Sequence, residues 1–196
     1  MINISEKKLI IPTTVELEDE LSREKYKIKY KKTVKSTIYV LITVVAISVL
    51  VATLIFPVLQ IYGKSMEPTL VSNDILLSVK KTKFKSGDII AFYYNNRILV
   101  KRIIATSSEW VNIDSDGNVF VNDKLLDEPY IAKKAFGESD IKYPYQVPEE
   151  EYFILGDQRE LSIDSRNSLI GTVAEEEIIG KVIFRLWPIK RFGLLN

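Results

Sequence analysis

The sequence predicts a mainly β, antiparallel protein preceded by one transmembrane α-helix. Three observations predict it. Residues 36–62 contain no charged side chain, and Ile38 to Phe56 is dominated by Ile, Leu, Val and Ala, about the 20 residues needed to cross a bilayer. After that span, short runs rich in Val, Ile, Phe and Tyr are broken by Gly, Asn and Asp, the pattern of strands and turns. No internal repeat, heptad or low-complexity tract imposes another architecture.

In chain order, Met1 to about Ser22 is mixed in character and is expected to be a tail or a short helix. Lys25, Lys27, Lys29, Lys31, Lys32 and Lys35 follow with no acid among them, after the acidic Glu16, Glu18, Asp19 and Glu20. Directly before an apolar span, such a run reads as a cytoplasmic flank against membrane lipid rather than a nucleic-acid patch. The formal net charge of +1 likewise gives no global bias toward nucleic acid. A cleavable signal has a shorter charged region and an apolar core of about 7–15 residues, so an uncleaved anchor fits better. Pro57 ends it, because proline cannot donate to the helix ladder. The domain reading is a basic cytoplasmic tail over 1–36, an anchor over 37–57 and an extracytoplasmic β-rich domain over 58–196. The lysines before the span, against Lys64 alone soon after it, orient the N-terminus inward.

Beyond the anchor, Asp74–Val79 and Asp88–Tyr94 read as strands. Asn95-Asn96 turns the second into Ile98–Ala105, making a hairpin. Trp110–Ile113 and Val119–Val121 form another around Asp116-Gly117, and Tyr152–Leu155 and Lys181–Trp187 supply later strands. Asp114 to Asn118 superficially looks like a calcium loop, but its Gly falls two places too early for an EF-hand. Trp110 and Trp187 suit a core or a membrane interface.

The chain contains no histidine and no cysteine. Ser-His-Asp and Cys-His catalysis are therefore excluded, as are His or Cys zinc sites, CxxC redox chemistry and disulfides. No metal or cofactor is expected. A serine hydrolase built from this sequence needs Lys, Asp, Glu or water as its base, and lysine is the usual substitute because a buried ammonium can deprotonate near neutral pH.

Ser65 lies in Gly63-Lys64-Ser65-Met66-Glu67-Pro68-Thr69-Leu70, where Pro68 restricts the backbone and Gly63 lets another backbone come close. By itself this is also an ordinary turn. In Ile98–Ala105, period two puts Leu99, Lys101, Ile103 and Ala105 on one face. Lys101 is then either a desolvated base or a lysine whose stem is buried and whose charge reaches water. The run from Gly156 to Arg166 is a solvated loop or the support of a site, with Ser162 bonded to a base and Asp164 paired to Arg166.

Four blocks in order carry a resemblance: Ser65-Met66-Glu67-Pro68-Thr69-Leu70 after the anchor, Ser86-Gly87-Asp88-Ile89-Ile90, Val100-Lys101-Arg102-Ile103-Ile104, and Gly156-Asp157 through Ser162-Ile163-Asp164-Ser165-Arg166. Together they resemble bacterial type I signal peptidase, in the form of Gram-positive bacteria, which lacks a large inserted domain. The resemblance implies an antiparallel β-sheet catalytic domain whose apolar surface meets the membrane. It implies removal of signal peptides from exported preproteins, after small residues, by a Ser-Lys dyad: Ser65 as nucleophile, Lys101 as general base, Ser162 orienting the amine, and Asp164 with Arg166 behind the site. Met66 lies beside the nucleophile, and the Ser65 N–H serves the oxyanion. Gram-negative relatives add a serine hydroxyl two places before the nucleophile; here that place is Gly63. Gln158 replaces the more usual Asn, which bears on the bonding of its loop. Two rivals remain: a soluble self-cleaving repressor, against which the anchor argues, and an inactive membrane factor assisting surface-protein assembly, against which the presence of both Ser65 and Lys101 argues.

Overall fold

The computed structural model describes residues 13–80 and 83–195, apart from the side chain of Leu54. It divides into two units, a helix as far as Val51 and the chain from Ala52 on. Helix α1 (Thr14–Ile55) has 42 residues and is about 63 Å long at 1.5 Å per residue. A capping box starts it: the Glu16 amide donates to the Thr13 hydroxyl at 3.4 Å, and the Thr13 amide donates to the Glu16 carboxylate at 2.9 Å. The helix therefore begins well before the basic flank and runs unbroken through it. Where the sequence reading left a tail or short helix up to Ser22, residues 14–22 are the first turns of α1, and residues 1–12 lie outside the described ones. Apolar side chains from Ile38 to Ile55 lie exposed, a surface that only lipid or another apolar partner can cover. The helix stops at Ile55, two residues before Pro57.

The remaining unit is two antiparallel sheets. Its strands are β1 (Val58–Gln60), β2 (Ile75–Val79), β3 (Ile89–Tyr94), β4 (Arg97–Ala105), β5 (Trp110–Ile113), β6 (Val119–Val121), β7 (Lys124–Leu125), β8 (Tyr145–Gln146), β9 (Glu151–Leu155), β10 (Val173–Ala174), β11 (Ile178–Trp187) and β12 (Gly193–Leu194). The larger sheet runs β1-β2-β11-β3-β4-β9-β10, with β12 paired to β11; the smaller runs β7-β6-β5-β8. Both predicted hairpins form. Asn95 and Asn96 turn the β3–β4 hairpin with φ of 43° and 63°, the left-handed pair that a two-residue hairpin needs and Asn tolerates. In the Asp114–Asn118 loop, the Asp114 carboxylate accepts from the Asp116 and Asn118 amides at 3.0 and 2.8 Å. That loop is a hairpin turn.

Apolar residues of β4 and β9 pack with Val111 and Val119 of the smaller sheet, so Ile104, Phe153 and Leu155 join the sheets. Leu59, Met66, Leu70, Leu76 and Val182 fill a second core under the β1 end. One expectation needs correction. The β4–β9 pairing is irregular between Ile103 and Ala105, and this extra residue places Ala105 with Ile104 in the inter-sheet core rather than on the face of Lys101.

Candidate active site

β4 is paired differently along its two halves. β3 covers it from Arg97 to Arg102, whereas β9 begins only at Arg102, opposite Leu155. Beyond Leu155 the chain turns away at Gly156, which leaves the β9-side edge of Arg97–Lys101 open. β1 ends the sheet and pairs only with β2. These two edges and the turn after β1 enclose a cleft of about 550 Å³ lined by residues 58–63, Ser65, Met66 and residues 97–101.

Ser65 is half-buried on this cleft. Its turn is anchored from below by Met66, 3% exposed, and by the fully buried Leu70. The Leu70 amide donates to the Met66 carbonyl at 2.8 Å, and the Glu67 amide to the Lys64 carbonyl at 3.0 Å. Gly63 has φ +95°, and a Cβ there would meet nothing within 4 Å. Its requirement is thus conformational, since the space a side chain would take there is open.

Lys101 is 3% exposed. Its amine does not reach water along the strand edge; it donates to the Ser162 hydroxyl at 2.8 Å. Burial lowers its pKa to about 8, against a smaller opposing pull from the Asp164 carboxylate, with Arg166 lowering it further and Asp157 raising it. Asp164 and Arg166 form a buried two-pronged pair at 2.8 and 2.9 Å. Asp164 also accepts from the Gly156 amide at 3.0 Å, while Arg166 donates to the carbonyls of Phe136 at 2.7 Å and Arg159 at 2.8 Å. Every polar group of the pair is thereby satisfied far from solvent, which a buried ion pair requires.

Gly156 joins the two loops. A Cβ on it would collide with the Ser162 side chain and lie 2.5 Å from the Ser65 carbonyl oxygen. The Gln158 amide donates to that same carbonyl at 3.0 Å. The Gln-for-Asn difference therefore costs nothing in this contact, since the bond is made by backbone.

Sequence reasoning missed a second layer. Arg102, next to Lys101 on the other face of β4, makes a two-pronged buried bond to Asp157 at 3.0 and 2.8 Å and stacks on the Tyr130 ring at 3.9 Å. The Tyr130 hydroxyl donates to Glu128 at 2.9 Å, and burial, together with Glu128, raises its pKa. Glu128 pairs with the buried Arg159, whose Nε donates to the Gly156 carbonyl at 3.1 Å. The one available signal was period two, which sends Arg102 away from Lys101 into the protein, where a guanidinium needs a carboxylate.

Residues 34–187 match the family described as signal peptidase, peptidase S26. The chain belongs to that family. It is 35% identical over 159 residues to a probable signal peptidase I-2 of Synechocystis sp., covering 74% of this chain and 70% of that protein. It is 34% identical over 154 residues to signal peptidase I P of Bacillus subtilis subsp. natto, covering 72% and 82%. A signal peptidase I of Enterococcus faecalis V583, known as a crystal structure, is 30% identical with a TM-score of 0.44, over 50% of this chain and 96% of the other. Membership in the S26 family makes the chain a peptidase, and with it α1 is a membrane anchor.

Proposed function

We propose that this S26 peptidase removes N-terminal signal peptides from exported preproteins, with Ser65 as nucleophile and Lys101 as general base, outside the cytoplasm. The observation that carries this reading is Lys101: in a chain without histidine, a buried amine with a pKa of about 8 lines the same cleft as Ser65.

The neutral Lys101 amine takes the Ser65 hydroxyl proton as Oγ bonds to the scissile carbonyl carbon. The oxyanion that forms is met by the Ser65 N–H, which donates to no protein acceptor among the described residues. The Lys101 ammonium then protonates the departing amine as the C–N bond breaks, leaving an ester on Ser65. Water, deprotonated by the same amine, attacks that ester and restores the serine. Ser162 holds the amine in place, and the Asp164–Arg166 pair fixes the loop that carries Ser162.

The open edges of β1 and of Arg97–Lys101 suit an extended peptide, whose backbone pairs with the edge while alternate side chains point into the cleft. This favours small residues at the first and third positions before the cut. The lysine-rich run from Lys25 to Lys35 within α1 supports an inward N-terminus.

The test is cleavage of a model preprotein in detergent by protein free of any host signal peptidase. Wild type should cut once after a small residue. Ser65→Ala and Lys101→Arg should both be inactive, since serine and base act as one unit and a guanidinium cannot lose its proton in this range. Appreciable turnover by Lys101→Arg overturns the assignment of the base. A wild type that cuts nothing favours an inactive assembly factor.

A further inference from the structure

We propose that a second pocket, on the far side of Ser65, receives a residue that follows the scissile bond, and that Glu67 makes it prefer a basic side chain there. The proposal rests on the peptidase reading above. Ser65 and Met66 line the main cleft. A separate pocket of about 270 Å³ begins at the next residue and is lined by Glu67, Pro68, Val71, Ala132 and Gln158. No lining residue is common to the two. The two are linked through one contact: Gln158, which lines the second pocket, donates its amide to the carbonyl of Ser65, which lines the first, at 3.0 Å. A peptide whose earlier residues lie along the β1 and β4 edges, and whose scissile carbonyl is at Ser65, therefore continues toward Glu67.

The chemistry of the pocket suits lysine or arginine. Pro68, Val71 and Ala132 give an apolar wall for a methylene stem, with the charged end left near solvent. Glu67 is half-buried, yet its carboxylate has neither a hydrogen bond nor an ion pair among the described residues. A lone carboxylate at the mouth attracts a cationic side chain and repels an acidic one. The α-amino group released by the cut is common to all substrates and cancels from any comparison between them.

The experiment uses full-length protein in detergent and preprotein peptides identical up to the cut, with Lys, Gln or Glu at the first or second position after it. At low salt, kcat/KM should be about 5- to 10-fold higher for Lys than for Glu at one of these positions, the size expected of a partly exposed charge contact counted once as attraction and once as repulsion. The ratio should shrink toward 1 at high salt, fall to within 2-fold in Glu67→Gln, and rise in Ala132→Glu, which adds a carboxylate at an exposed rim position. A Lys-to-Glu ratio near 1 in wild type, or one that is the same in Glu67→Gln and Ala132→Glu as in wild type, overturns the subsite and leaves the peptidase reading intact. Failure to cut any of the peptides overturns the peptidase reading and this subsite with it.

Discussion

A protonated amine buried as deeply as that of Lys101 works against folding, and the same burial makes it a base. Its folded pKa of about 8 lies below the ordinary lysine value, so between about pH 8 and 10.4 the unfolded chain binds more protons and stability rises with pH. Lys101→Met removes the charge and keeps the stem; it should stabilise the protein at pH 7 by about 1–3 kcal/mol while abolishing turnover, read as Tm in detergent beside the cleavage assay. In wild type, turnover should climb with pH along a limb centred near 8, and a profile flat from pH 6 to 10 would remove Lys101 from the base's role. Ser162→Ala should lower kcat about 10- to 100-fold, the value of one hydrogen bond of about 1.5–3 kcal/mol to an activated group, with Tm little changed. Ser65 and Lys101 could be named as candidates from the sequence because the absence of histidine leaves few other bases. The Arg102–Asp157 and Arg159–Glu128 pairs were not, because each joins residues 55 and 31 apart in the chain with no local period to announce it.

At the scale of elements, the strands with clean alternation and Asn or Gly turns were readable almost to the residue, including both hairpins. β1 was not, since Val58-Leu59-Gln60 has the composition of the membrane span it follows and merges with it. The two-residue strands β7, β8, β10 and β12 are too short to carry any periodicity and exist only through their partners. The shift that moves Ala105 to the other face is likewise a product of pairing with β9. Gly156 is where element and site meet, between the end of β9 and the Ser65 turn. Gly156→Ala forces a methyl group against Ser162 and the Ser65 carbonyl, so it should lower Tm by about 3–10 °C and cut activity more than that loss of stability explains. A variant that melts and cleaves like wild type would show that the two loops move apart freely.

For the whole molecule, the proposed orientation has a direct check. Protease added to intact spheroplasts should digest the chain beyond Gln60 and spare the part of α1 before the apolar span, its lysine run included; protection of the C-terminal unit would reverse the topology. The anchor was legible from composition, but the length of α1 was not, because the capping box at Thr13 and Glu16 precedes the apolar span by some two dozen residues. The unpaired edges that suit a peptide have a further effect once the protein is taken out of its membrane. A row of free N–H and C=O groups accepts any strand, including one from a neighbouring copy. Along Arg97–Lys101 the side chains nearest the opening are Ile98 and Leu99, with Arg97 as the one exposed charge, so little on this edge discourages such a neighbour. With α1 kept in detergent, an extended peptide seated on this edge, cleavable or not, should slow self-association of the purified protein, read as light scattering with and without the peptide.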